Sequence, residues 1–146
     1  MSTVPRALTQ QEREELIQAA IEAKETAYSP YSKFRVGAAL FSTDGKIIRG
    51  GNGGTICAER TALVKAVSEG TKSFLAIAVT SDVDEIVSPC GICRQFIREF
   101  CSLKMPIYMV KSSYTPATVD TSTKAVTLED ILPYSFGPEH LEMPRN

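Results

Sequence analysis

Apolar residues recur along the first thirty positions at the three-to-four-residue spacing of one helix face: Leu16, Ile17, Ala20, Ile21 and Ala27. Thr9 followed by Glu12 makes a capping box ahead of them, and Pro30 forbids continuation, so an amphipathic helix is predicted over 10–27. The period then changes. Val36, Ala38 and Leu40 alternate within an apolar run, Asp44-Gly45 supplies a hairpin turn, and Ile47-Ile48 resumes extended chain. The stretch Gly50-Gly51-Asn52-Gly53-Gly54 reads as a tight, flexible loop, because glycine accepts backbone angles that other residues avoid.

From Cys57 the helical spacing returns through Ala58, Ala62, Leu63, Ala66 and Val67, and Gly70 ends it as a C-cap. Small residues on several faces of this helix predict a central, buried position. Phe74 to Thr80 is a continuous apolar run of strand length, and Pro89 opens a further helix carrying Ile92, Phe96, Ile97 and Phe100. Ile107 to Val110 reads as the next strand, followed by a late strand near Ala125 to Thr127 and a short helix to Leu132. Strand, helix and strand joined by a right-handed return predict an α/β fold, with a mixed sheet covered by helices on both faces. No repeat, linker or low-complexity segment interrupts it, so residues 1–146 are expected to form one domain.

Composition excludes more than it selects. Apolar residues at 43% and charged residues at 23% suit a folded globular chain. Sixteen basic residues against 17 acidic ones, with no basic block, do not build a groove for nucleic acid. No apolar run approaches the roughly 20 residues of a membrane span, and the N-terminus lacks the order of a secretion signal, so a reducing cytoplasmic setting is expected. There, the four cysteines at 57, 90, 93 and 101 are expected to bind metal or stay free rather than pair.

Three of those cysteines fall where helix starts are predicted, in Cys57-Ala58-Glu59 and Pro89-Cys90-Gly91-Ile92-Cys93. A helix N-terminus carries about half a positive charge and unpaired N–H groups, both of which favour thiolate, the form that binds metal. The two-residue spacer lets Cys90 and Cys93 reach one ion at about 2.3 Å, and soft thiolates select zinc. Cys57 would be the third ligand. Cys101 lies eight residues after Cys93 along the same helix and is a poor fourth ligand, so the site is read as open, as in catalytic zinc centres. Three thiolates on a divalent ion leave a net charge of about −1, offset by the helix ends and by Arg60 donating to a sulfur. Glu59, two residues from Cys57, is assigned as the proton shuttle. The competing readings are a structural or redox pair for Cys90 and Cys93, and solvated charges for Glu59 and Arg60. His140, the single histidine, reads as a surface residue.

Assembled, these residues resemble the small, homotetrameric, zinc-dependent cytidine deaminases over nearly the whole chain. Tyr28-Ser29-Pro30-Tyr31-Ser32-Lys33-Phe34-Arg35-Val36-Gly37-Ala38-Ala39 resembles the family's N-terminal segment. Thr55-Ile56-Cys57-Ala58-Glu59-Arg60-Thr61-Ala62 resembles its first zinc segment, and Ser88-Pro89-Cys90-Gly91-Ile92-Cys93-Arg94-Gln95 its second. The resemblance implies a three-layer α/β/α fold on a five-stranded mixed sheet and one zinc ion per subunit. It also implies a cytoplasmic role in pyrimidine salvage with cytidine and deoxycytidine as substrates, and a homotetramer with shared active sites. By position it assigns Phe34, Asn52, Ala58 and Phe136 to the substrate, with the Phe136 ring packing over the base, often from a neighbouring subunit.

The chain departs from the family between the hairpin and Cys57. There the family usually continues Gly-Cys-Asn-x-Glu-Asn-Ala-Ser-Tyr, whose Asn and Glu hold the ribose hydroxyls, whereas here only Gly50 to Gly54 remain. Ribose recognition is expected to be weakened and the chemistry at the base to be spared. Two alternatives follow: a deaminase of an altered or larger cytosine substrate, such as a modified nucleoside or single-stranded nucleic acid, and an inactive zinc-stabilised scaffold.

Overall fold

A computed structural model describes residues 4–146. Helix α1 (Gln10–Lys24) starts at the expected capping box, in which Thr9 Oγ1 accepts from the Glu12 N–H and Glu12 accepts from the Thr9 N–H. It stops three residues short of the expected 27, at a cap on Glu25, and the following turn bonds Tyr28 N–H to the Asn52 carbonyl. The hairpin β1 (Val36–Ser42) and β2 (Ile47–Gly51) turns at Asp44-Gly45, with Gly45 at φ 87°. Helix α2 (Ala58–Ser68) leads into β3 (Phe74–Ser81), which is buried along its full length. Helix α3 (Gly91–Phe100), β4 (Pro106–Val110), β5 (Thr123–Thr127) and the one-turn helix α5 (Leu128–Ile131) follow; a further turn, α4 (Val119–Ser122), precedes β5.

Three expectations need correction. Gly50 and Gly51 are not loop: both lie in β2, where helices press against the sheet. A Cβ on Gly50 would stand 2.4 Å from the Ala62 nitrogen of α2, and one on Gly51 would stand 2.9 Å from the Ala23 oxygen of α1. Close backbone approach, not flexibility, is what excludes a side chain there. The loop proper is only Asn52 to Ile56, closed by reciprocal Gly53 and Ile56 backbone bonds of 3.1 and 3.0 Å. Pro89 precedes the N-cap Cys90 rather than opening α3, and β5 begins two residues before Ala125.

The sheet order is β2-β1-β3-β4-β5, with β3 and β4 parallel and every other neighbour antiparallel. Alternation divides the core into two layers. Ala38, Leu40, Ile77, Val79, Ile107 and Met109 meet α2 and α3 on one face, and Ala39, Phe41, Ala76, Ala78 and Val110 meet α1 on the other. The result is the expected α/β/α sandwich on a mixed five-stranded sheet.

Candidate active site

The crossover β3–α3–β4 and the entry to α2 bring both cysteine segments to one end of the sheet, outside the C-terminal end of β3. Ligand sites in open α/β sheets form at such ends. Cys57 caps α2 and Cys90 caps α3, and neither side chain makes a capping hydrogen bond, which leaves both sulfurs free to face each other. Cys57 Sγ and Cys90 Sγ stand 3.8 Å apart. With Cys93 Sγ they form a group whose ligand atoms all lie within 4.8 Å, the one such group of three or more among the described residues. Two sulfurs about 2.3 Å from a tetrahedral ion are about 3.8 Å apart, so the spacing suits zinc. Neither Cys101 nor His140 joins the group.

Electrostatics point the same way. Burial, and then the nearby Glu59 carboxylate, push the Cys93 thiol far above its ordinary value. At Cys90 desolvation also opposes ionisation, but hydrogen bonds from the Cys93 backbone and from the Cys93 and Cys57 side chains outweigh it, and the net shift is downward. Glu59 is 5% exposed and its Oε2 lies 3.8 Å from Cys93 Sγ; burial pushes its carboxyl above the usual carboxylate range. Three sulfurs and a carboxylate this close require a cation to be ionised together. Arg60 supplies part of it, its NH2 group lying 3.6 Å from Cys57 Sγ, while its Nε is buried with no partner. The donor set therefore fits a divalent zinc ion held by Cys57, Cys90 and Cys93.

A cavity of about 230 Å³ opens beside these groups, lined by Cys57 and Glu59 and walled by Phe34, Val36, Val79 and Val87. Phe34 is thus at the expected place. Asn52 also lines it, but its side chain is engaged: Oδ1 accepts from the Val36 N–H at 2.8 Å and Nδ2 donates to the Phe34 carbonyl at 3.0 Å. Ala58 is fully buried as the first residue of α2 and is not part of the cavity wall. Phe136 lies apart, 56% exposed and stacked on His140 with ring centroids 5.6 Å apart.

Two sets of residues escaped the sequence reading. Arg94 donates to the Pro89 carbonyl (2.7 Å), the Ser88 hydroxyl (2.6 Å) and the Ile131 carbonyl (2.7 Å), fixing the loop that delivers Cys90. Its place directly after Cys93 was the available signal. Arg98 is 3% exposed and binds Ser135 and Glu139, while Gln95 donates to the Phe136 carbonyl at 2.9 Å, so α3 straps down the C-terminal segment. Arginine burial on an otherwise amphipathic face leaves no trace in periodicity.

The fold and the three-sulfur centre define a zinc-binding α/β protein of the deaminase class. Residues 10–109 match the family described as "Cytidine and deoxycytidylate deaminase zinc-binding region". The chain is 46% identical to cytidine deaminase of Sporosarcina psychrophila, over 88% of this chain and 93% of that one. It is 43% identical to the cytidine deaminase of Halalkalibacterium halodurans, over 89% and 98%. The crystal structure of cytidine deaminase from Burkholderia pseudomallei superposes with a TM-score of 0.77 at 35% identity, covering 88% of this chain and all of that one. The chain belongs to the cytidine deaminase family.

Proposed function

We propose that this protein hydrolyses the exocyclic amino group of cytidine and deoxycytidine, converting cytosine plus water to uracil plus ammonia. The observation that carries this reading is the convergence of three cysteine sulfurs with one buried carboxylate beside an open cavity. Zinc, when bound, supplies a Lewis acid that makes water nucleophilic near neutral pH. Cys57, Cys90 and Cys93 hold that ion, and the Arg60 guanidinium tempers their negative charge. Glu59 takes the proton of the attacking water and returns it to the ring nitrogen. It then moves a second proton to the departing amine, so that C4 exchanges its nitrogen for oxygen. A carboxylate with a raised pKa suits this two-way traffic, because it gives a proton up as readily as it takes one.

Phe34 and Val36 form the apolar wall against which the base packs. The working unit in this reading is one domain per subunit within a homotetramer, in the cytoplasm and serving pyrimidine salvage. Exposed apolar side chains at Tyr31, Ile92, Tyr134 and Phe136 support an assembly, in which Phe136 serves a neighbour's base. No described helix is long and apolar enough to cross a membrane.

Ultraviolet assay of cytidine with zinc-loaded protein tests the activity, and absence of turnover at full zinc occupancy would overturn it. Glu59→Gln is expected to lower kcat by about 100- to 10,000-fold while zinc remains stoichiometric. An inert scaffold would be indifferent to that change.

A further inference from the structure

We propose that this pocket selects the cytosine base alone and does not select the sugar attached to it. Its substrate class is N1-substituted cytosines in general, of which cytidine is one member. The inference rests on the deaminase reading above and extends it from reaction to specificity.

The polar atoms of the cavity wall are largely committed elsewhere. Asn52 spends its amide on the backbone of Phe34 and Val36, at 3.0 and 2.8 Å, and so shapes the wall from behind. The Thr80 hydroxyl is 3% exposed as a residue and donates to the Val110 carbonyl at 2.9 Å. Ser81, also buried, has its hydroxyl turned to the Val83 N–H at 3.4 Å and its carbonyl to Lys24 Nζ at 3.0 Å. Thr55, exposed beside Gly54, offers one neutral hydroxyl that rotates freely. Glu59 is the one carboxylate among the described lining residues, and no lysine or arginine lines the cavity.

Glu59 lies at the three-sulfur end, where the reacting carbon must sit, so it is not available to a sugar. Vicinal hydroxyls are gripped by charged acceptors, since hydrogen bonds to ionised groups are the strong ones. None is placed for them here. Size agrees: about 230 Å³ falls below the roughly 300–1,000 Å³ of sites that enclose drug-sized ligands, enough for one heterocycle with its N1 substituent at the open mouth.

The test compares kcat/KM of the zinc-loaded protein for cytidine, 2′-deoxycytidine and 1-methylcytosine, in which a methyl group replaces the sugar and the ring electronics are kept. The three values are expected to fall within about tenfold, the worth of one ordinary hydrogen bond. A preference for cytidine over 1-methylcytosine of more than about a thousandfold would overturn the inference while leaving the deaminase reading intact, because a site built around a hydroxyl rejects the analogue that lacks it.

If no cytosine compound turns over, the activity reading fails. Calorimetric binding of uridine and 1-methyluracil then decides the pocket separately: Kd values within about tenfold sustain the inference, and a large uridine advantage or no binding of either sinks it. Asn52→Ala supplies a second check. As a positioning residue, Asn52 affects both substrates alike, so kcat/KM for cytidine and 1-methylcytosine should fall together and their ratio should hold. A loss confined to cytidine would make Asn52 a sugar ligand and refute the proposal.

Discussion

The close approach of α2 to β2 gives a quantitative handle on how the fold aligns the site. In Gly50→Ala the new Cβ would lie 2.4 Å from the Ala62 nitrogen and 2.7 Å from the Ala58 oxygen, whereas ordinary contact begins at 3.4 Å. Both obstacles are helix backbone, which cannot step aside as a side chain does, so α2 must withdraw by about 1 Å or the strand must bend. Overpacking of this kind costs about 1–3 kcal/mol, and the reduced freedom of the unfolded chain returns only about 0.4–1 kcal/mol. A net loss of about 1–2 kcal/mol is expected, a fall in Tm of roughly 3–8 °C for a chain of this size. The displaced helix begins at Ala58 and carries Cys57 and Glu59 on its first turn. A misplacement near 1 Å at a reacting group costs on the order of 100-fold, so kcat/KM for cytidine should fall by about 10- to 100-fold. Calorimetric melting and the ultraviolet assay measure the two effects. Gly53→Ala is the control: its Cβ meets nothing nearer than 3.7 Å and should change stability by less than about 0.5 kcal/mol. Wild-type melting and turnover in Gly50→Ala would refute the argument that α2 is seated against a bare strand.

Arg94→Met removes the three bonds that fix Ser88, Pro89 and Ile131, and should weaken zinc binding by about 10- to 100-fold in competition with a chelator, without loss of a ligand. Cys101 is 1% exposed and burial pushes its thiol up to about 12, so a thiol reagent should label Cys57 and Cys90 in chelated, folded protein while sparing Cys101 until unfolding. Cys101→Ala should accordingly retain one zinc per chain. The hydrogen bond from Arg98 holds the Glu139 carboxyl down to about 2 from an ordinary 4.5. A depressed carboxylate stabilises the folded state fully above its unfolded pKa, so the anchoring of the C-terminal segment should be complete above about pH 4.5 and lost as pH falls toward 2. Cleavage of the C-terminus by an acid protease across that range reads it, and Glu139→Gln should abolish the pH dependence.

Periodicity made the elements legible where one physical demand dominated. Capping at Thr9, the apolar run at Phe74 to Thr80 and the cysteine spacing each answer to a single local rule, and each lies where expected. The glycines at 50 and 51 misled because the same residue serves two opposite needs, loose turns and tight packing, and only the neighbouring helices decide between them. Cys57 and Cys90, 33 positions apart, could be joined in one site because their helix starts already implied the same chemistry. The roles of Arg94, Arg98 and Asp82 could not be read. Asp82 binds the Arg35 backbone and guanidinium and stands 3.4 Å from Lys24, pairings that span up to 58 residues and depend on where the sheet ends.

The sheet separates two surfaces with different tolerances. Every group assigned to chemistry hangs from α2, α3 and the loops at one end, whereas α1 lies across the opposite layer with Gln11, Glu15 and Gln18 turned to solvent. Tethering the protein to a support through those positions would leave the pocket mouth at Gly54 and Thr55 clear of the attachment.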